Sequence, residues 1–107
     1  FLVAAEGDDV AGYACFGRTP MTDETWDLYW IAVDPARQGQ GIGKLLLRGV
    51  EEAARALGAR LLVVETAGKP EYAPTRAFYE RSGYPEHARL RDFYRDGDDK
   101  VVHVRRL

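Results

Sequence analysis

The chain has 107 residues, of which 46% are hydrophobic and 30% are charged, the composition of a globular domain rather than of a disordered chain. Its 15 basic and 17 acidic residues leave a net charge of −2, so neither nucleic acid nor an anionic membrane is expected as a partner. No apolar run approaches the roughly 20 residues that span a bilayer, and the single cysteine, Cys15, cannot form an internal disulfide. We therefore expect one domain over residues 1–107, located in the cytoplasm.

Three strands are predicted before the first helix. Residues 1–6 and 10–17 flank the turn signal Gly7-Asp8-Asp9 and should form a hairpin. Residues 26–33 are rich in aromatic and β-branched side chains, which favour a third strand, and Asp34-Pro35 ends it.

An amphipathic helix is predicted from Ile42 to Leu57, with Gly58 as its C-cap glycine. Its buried side is expected to hold the apolar residues that recur at three- and four-residue steps, namely Ile42, Leu45, Leu46, Val50, Ala53, Ala54 and Leu57. The exposed side is expected to hold Lys44, Arg48, Glu51, Glu52 and Arg55.

The second half of the chain contains a further helix between strands. Residues 61–64 form a short apolar run, as in a central buried strand, and residues 75–81 form a helix that Ser82-Gly83 stops. Two more strands, at 86–91 and 101–105, flank the turn signal Gly97-Asp98-Asp99. This order of elements predicts an α+β domain with one mixed sheet.

The most informative segment is a glycine loop that leads into the first helix. Glycines at 39, 41 and 43 let the backbone approach a ligand closely, and the free N–H groups of a helix N-terminus bind phosphate. Lys44 in the first turn opposes the helix dipole unless an anion is bound there. The alternative is an ordinary glycine-rich connection with a solvated lysine.

Two other phosphate-binding loops do not match. The Walker A pattern requires a glycine where Gln38 stands. The dinucleotide fingerprint requires two residues before its last glycine, whereas only Ile42 separates Gly41 from Gly43.

The segment Gln38-Gly39-Gln40-Gly41-Ile42-Gly43 resembles the Q/R-x-x-G-x-G/A signature of the GCN5-related N-acetyltransferase (GNAT) family, and the strand before it and helix after it match as well. Residues 77–84 resemble a second family motif, an A-x-x-F-Y helix that closes on a glycine. Thr75 stands where that motif has alanine, and Tyr72 stands where the family usually has asparagine. The alternative is that Phe78 and Tyr79 only pack a short helix.

This resemblance implies the acyl-CoA N-acyltransferase fold, a mixed and mostly antiparallel sheet with helices on both faces. The family's first strand and two helices are expected to be missing here. The resemblance also implies acetyl-CoA as co-substrate, bound by backbone groups along the third strand, by amides of the glycine loop and by the second helix. The residues concerned are Ile31, Ala32, Val33, Gln38, Gly39, Gln40, Gly41, Ile42, Gly43, Lys44, Phe78 and Arg81. For Arg81, a solvated role is the alternative.

Acetyl transfer to an amine requires a base for the amine proton and an acid for the departing thiolate. The resemblance implies that Tyr79 is the acid. The best candidate for the base is Glu65, which ends an apolar strand where burial would raise its pKa. It is similar to a strand-end glutamate of bacterial ribosomal-protein N-terminal acetyltransferases, although an ordinary exposed carboxylate is the alternative. Asp27 and Glu24 are reserve bases, and Cys15 is expected to pack rather than react.

The acceptor is expected to be a primary amine of a small molecule, a protein N-terminus or a lysine. Asp92 and Tyr94 are candidates for its binding wall, with a polar turn as the alternative. His87 and His103 have no ligand-like spacing with Cys15, so no metal is expected. A homodimer is left open. The rival functions are a non-catalytic acyl-CoA-binding module and, disfavoured by the glycine spacing, a nucleotide-binding oxidoreductase.

Overall fold

A computed structural model describes residues 1–107, except for the side chain of Glu6, and shows one sheet of six strands with two helices. The strands are β1 (Leu2–Glu6), β2 (Asp9–Arg18), β3 (Thr25–Val33), β4 (Leu61–Ala67), β5 (Glu86–Arg95) and β6 (Asp98–Arg106). The helices are α1 (Ile42–Ala56) and α2 (Ala73–Arg81), and short 3-10 turns at Pro35–Arg37 and Pro70–Tyr72 precede them.

The sheet is mixed and mostly antiparallel, as predicted. Its strand order is β1-β2-β3-β4-β6-β5, and only the β3–β4 pair is parallel. That pair begins at Thr25 opposite Leu61 and ends at Leu28 opposite Val64, although both strands continue beyond this point. Residues 29–33 and 65–67 therefore separate, and we call this opening the β3–β4 fork. Its β3 side contains Ile31, Ala32 and Val33, whose backbone groups the resemblance implied for coenzyme binding.

The two faces of the sheet differ in what covers them. One face, here called the inner face, buries Leu28, Leu62 and Val64 in a core shared with α1 and with Tyr79 of α2. Because side chains alternate along a strand, those of Asp27, Val63 and Glu65 lie on the opposite, open face. The resemblance implied helices on both faces, and both helices of this chain lie on the inner one.

The predicted buried side of α1 is partly wrong. Leu45 and Leu57 are exposed, whereas Leu47 is fully buried. The reason is that the buried stripe is centred near Val50, so Leu45 falls on the far side of the helix, and Leu57 lies beyond its last turn. Glu51, assigned to the exposed side, is only 4% exposed.

The last strands are longer than the sequence predicted. β4 runs to Ala67, which places Glu65 inside the strand rather than at its end. β5 and β6 extend to a tight turn around Gly97, so Asp98 and Asp99 belong to β6 and not to the turn. The strands predicted to end at residues 64 and 91 and to begin at residue 101 were therefore too short.

Candidate functional site

The glycine loop adopts the backbone conformation for which glycine is required. Gly39 and Gly41 have φ angles of 84° and 79°, in the left-handed region that other residues rarely occupy. A Cβ atom at either position would meet no other atom within 4 Å, so the backbone here borders open space. Gly43 is helical, and a Cβ there would touch the Phe78 ring at 3.6 Å.

The N-terminus of α1 has free hydrogen-bond donors. Its N-cap residue is Gly41, no side chain caps it, and its first turn holds Lys44 but no acidic residue. The preceding 3-10 turn differs, because the Asp34 carboxylate accepts a hydrogen bond from the Ala36 N–H at 3.0 Å. An uncapped helix N-terminus with a lysine beside it is suited to a bound anion.

A cavity of about 670 Å³ lies between this N-terminus, the β3 side of the β3–β4 fork and α2. Most of the predicted coenzyme-binding residues line it, together with the predicted acid: Ile31, Val33, Gln38, Gly39, Gly41, Ile42, Gly43, Lys44, Phe78, Tyr79 and Arg81. Ala32 and Gln40 are not part of this lining. For Ala32 the reason is strand alternation, which turns its side chain away from those of Ile31 and Val33.

Four further residues line the cavity that sequence reasoning did not assign to it: Arg37, Pro74, Thr75 and Ser82. Arg37 forms an ion pair with Asp34 at 3.0 Å and with Asp9 at 3.4 Å. The sequence feature that could have assigned Arg37 to the cavity is its position directly before Gln38, the first residue of the family signature. The other three come from α2 and its end, and only the tertiary structure brings them to the glycine loop.

Tyr79 is held by ring contacts. It is 5% exposed, and its ring centroid lies 5.2 Å from that of Phe78, 6.2 Å from that of Tyr84 and 5.8 Å from that of His103. Its hydroxyl has no hydrogen-bond partner among the described side chains and backbone groups, while the residue lines the cavity. Burial raises the pKa of Tyr79 to about 12, so the phenol is a proton donor at neutral pH.

His103 supports this region from β6. It is fully buried, with Nδ1 2.9 Å from the Tyr84 carbonyl oxygen and Nε2 3.1 Å from the Thr66 hydroxyl. Because a carbonyl oxygen only accepts, Nδ1 carries the proton in this arrangement. Within the described part of the chain, no group of three or more His, Cys, Asp or Glu residues is arranged to hold a metal.

A second cavity, of about 260 Å³, opens beside the fork and is lined by Asp27, Leu28, Tyr29, Val63, Glu65 and Tyr94. Glu65 forms an ion pair with Lys100, whose Nζ lies 3.1 Å from Oε1. The Glu65 side chain is 47% exposed, so the expectation that it is buried was wrong: it faces the open side of the sheet. The cavity nevertheless brings together the predicted base, one reserve base and Tyr94.

The remaining candidates lie elsewhere. The Asp92 carboxylate accepts a hydrogen bond from the Gly97 N–H at 2.8 Å and so closes the β5–β6 turn. Asp92 lines neither cavity. Glu24 accepts from the Trp26 indole at 3.3 Å and pairs with Arg18 at 3.3 Å, which leaves it outside both cavities as well. Cys15 is half-buried on β2.

The family described as acetyltransferase (GNAT) domain matches residues 1–86. The chain is 41% identical over 58 residues to the N-alpha-acetyltransferase RimI of Mycobacterium tuberculosis, a stretch that covers 51% of this chain and 35% of that protein.

Two solved structures share the fold. A GNAT-family protein from Desulfovibrio desulfuricans is 54% identical, with a TM-score of 0.96 over 97% of this chain and 65% of its own. An acetyltransferase from Bacillus subtilis, solved in complex with CoA, is 26% identical, with a TM-score of 0.85 over 98% of this chain and 74% of its own. The chain thus spans less than two thirds of RimI and of the Desulfovibrio protein. Neither helix described here is long and apolar enough to cross a membrane.

Proposed function

Since the chain belongs to the GNAT acetyltransferase family, we propose that it transfers the acetyl group of acetyl-CoA to a primary amine by direct attack. One observation carries the proposal. The uncapped N-terminus of α1, the β3 side of the β3–β4 fork and the Tyr79 side chain all border the same cavity of about 670 Å³. An anion site, an open strand edge and a proton donor are the three elements that a thioester of CoA would need.

The coenzyme would bind in two parts. Backbone amides from Gly39 to Lys44 would hold the pyrophosphate, and the Lys44 ammonium would add its charge. Beyond Leu28 the edge of β3 that faces β4 has no strand partner, so backbone groups of Ile31, Ala32 and Val33 could pair with the pantetheine amides. Phe78 and Arg81 line the cavity on the α2 side.

Replacing Gly41 by valine tests the loop assignment. We expect the dissociation constant of acetyl-CoA to rise at least about tenfold, because the side chain would enter open space beside the cavity and displace hydrogen bonds to a charged ligand. Valine at φ 79° also strains the backbone, so Gly97→Val is the matched control. Gly97 has the same φ of 79° and equally open surroundings, but it lies in the β5–β6 turn. Equal affinities of both variants and the wild type by calorimetry would refute the assignment.

For the transfer itself, the amine must lose a proton and the leaving sulfur must gain one. The amine nitrogen would attack the thioester carbonyl carbon, and the C–S bond would break as the amide forms. Tyr79 would donate its phenolic proton to the sulfur, and Glu65, in the second cavity, would accept the proton from the amine, directly or through water. On the sheet, the first cavity is lined by Ile31 and Val33, and the second is lined by Asp27 and Glu65 among others. For Tyr79 and Glu65 to act on one substrate, the thioester would have to lie in the fork between these cavities.

The role of Glu65 is tested by Glu65→Gln, which keeps the shape and removes the base. We expect turnover at neutral pH to fall about 10²–10⁴-fold. Part of the loss should return at high pH, where more of the amine is already deprotonated. A pH–rate profile of both proteins with one amine measures this. If the glutamine variant keeps the same acidic limb, Glu65 is not the titrating base.

An assay with a panel of acceptor amines distinguishes an enzyme from a non-catalytic binding module. Thiol release from acetyl-CoA in the presence of a panel of primary amines, including peptides with free N-termini, would show transfer. Coenzyme binding without thiol release for any amine would instead support the non-catalytic module. Residence in the cytoplasm and the absence of a metal and of nucleic acid stay predictions from the sequence, which leaves a homodimer open.

A further inference from the structure

The second cavity contains two carboxylates whose surroundings differ. Glu65 already holds a cation, the Lys100 ammonium, which also lies 4.6 Å above the Phe93 ring. Asp27 accepts a hydrogen bond from the Thr19 hydroxyl at 2.8 Å, and no basic side chain of the described chain pairs with it. Asp27 is therefore the carboxylate in this cavity whose charge is not balanced.

The walls beside Asp27 suit an organic cation. Tyr29 and Tyr94 line the same cavity, and both are about half exposed. Aromatic rings attract ammonium groups, and a neighbouring carboxylate adds to that attraction. The Lys100 side chain shows the same recognition within this protein, since one ammonium is held by a carboxylate and an aromatic ring.

A carboxylate that binds the reacting amine as an ammonium would stabilise the form that cannot attack. An anchor that improves binding without slowing the reaction must hold a different positive charge of the acceptor. Asp27 lies opposite Val63 in the β3–β4 pair, and Val63 is two residues before Glu65 on β4. At about 3.3 Å per residue, Asp27 and Glu65 are therefore offset by roughly 7 Å along the strand direction. A short alkyl chain between two amines spans such a distance.

We propose that Asp27 is a specificity-determining residue that binds a second cationic group of the acceptor, so that the preferred acceptors are short diamines or amines with an equivalent second charge. The proposal rests on the proposed function, because the second cavity is read as the acceptor site. Asp27 holds the distal ammonium between Tyr29 and Tyr94, and the proximal amine then lies at the level of Glu65, next to the fork.

The test compares tetramethylenediamine with butylamine, which has the same carbon chain and one amine fewer. In the intact protein, the ratio of kcat/KM for the diamine to kcat/KM for butylamine measures how much the second ammonium group contributes to recognition of the acceptor. Asp27→Asn should lower this ratio by about tenfold to a hundredfold, the range for a hydrogen bond to a charged group. Asparagine keeps an acceptor for the Thr19 hydroxyl, and unchanged thermal unfolding would show that the fold is kept. The exposed Asp8→Asn removes a charge elsewhere and should leave the ratio unchanged.

An unchanged ratio in Asp27→Asn, or an equal loss with both amines, would overturn the proposal. The equal loss would be the result if Asp27 were the base. Should the wild type bind acetyl-CoA but release no thiol with either of these amines or with any other amine of the panel, the proposed function fails. In that case the dissociation constants of the two amines are measured by calorimetry on the coenzyme-loaded protein. Their ratio, compared between the wild type and Asp27→Asn, then decides the role of Asp27.

Discussion

Replacing Tyr79 by phenylalanine is expected to lower turnover about 10²–10⁴-fold while leaving the affinity for acetyl-CoA nearly unchanged. The structure gives the reason for this separation. The ring packs against Phe78, Tyr84 and His103, and phenylalanine keeps those contacts. The hydroxyl, by contrast, has no partner in the described structure, so its removal breaks no internal hydrogen bond.

The measurement needs an assay limited by chemistry, for instance single-turnover transfer to an excess of amine, together with calorimetry of coenzyme binding. Tyr13→Phe, on the exposed side of β2, is the control for loss of a tyrosine hydroxyl. An unchanged maximal rate in Tyr79→Phe would make Tyr79 a packing residue and would leave the sulfur without an identified proton donor.

The pH dependence provides a second check on the same residue. The protonated phenol is the active form, and burial raises its pKa from the ordinary 10.0 to about 12. Its contribution to the rate should therefore be fully present at neutral pH, persist through pH 10, and be lost only as the pH rises through about 12. An ultraviolet titration should show the same number of phenolates near pH 10 in the wild type and in Tyr79→Phe. About half a phenolate fewer in the variant at that pH would show that Tyr79 ionises with the ordinary pKa of 10.0.

Local chemistry explains what the sequence predicted correctly. The conformation of the glycine loop depends on Gly39 and Gly41 themselves, and the helix that follows depends on its own periodicity. Both features can be read without knowledge of distant contacts. The parallel β3–β4 pair needs a crossover connection, and α1 with its glycine loop provides it.

The errors, and the contacts that no sequence pattern predicts, arise where partners come from distant parts of the chain. Glu65 was expected to be buried because apolar residues precede it, but its surroundings are set by Lys100 of β6. Asp92 has a structural partner, the Gly97 N–H, that becomes available only when the hairpin closes. Glu51 looks like a solvated helix residue, yet its partner Tyr84 lies 33 positions further along the chain. No local pattern contains these contacts.

The buried Glu51 carboxylate connects the two helices that border the first cavity. It accepts hydrogen bonds from the Tyr84 hydroxyl at 2.6 Å and from Arg48 at 2.7 and 2.8 Å, and Arg105 lies 3.6 Å away. Both arginines also donate to the Ser82 carbonyl oxygen, at 3.0 Å each, where α2 ends. This network fixes the end of α2 against α1 and so sets the position of the proposed acid relative to the glycine loop.

Replacing Glu51 by leucine should lower the free energy of unfolding by about 1–3 kcal/mol, since it leaves the buried Tyr84 hydroxyl without its acceptor. Arg48 and Arg105 lose their carboxylate partner but keep the Ser82 carbonyl oxygen. Such a loss is a large part of the ~5–15 kcal/mol that stabilises a typical domain. The matched control is Glu52→Leu, because Glu52 is the next residue of α1 but is exposed, and its replacement should change stability by no more than about 0.5 kcal/mol. Denaturant unfolding of both variants measures the difference.

Tyr84 supplies an independent check on this network through pH. Burial, and then the hydrogen bond to Glu51, raise the pKa of the Tyr84 phenol above the ordinary 10.0. The stability that depends on the protonated phenol is therefore fully present at neutral pH and falls as the pH rises above 10, where the unfolded chain loses the proton first. Tyr84→Phe should be less stable than the wild type at pH 7 and should lose less further stability above pH 10. If Glu51→Leu unfolds at the same denaturant concentration as Glu52→Leu, and Tyr84→Phe shows the alkaline loss of the wild type, the carboxylate does not hold the two helices together.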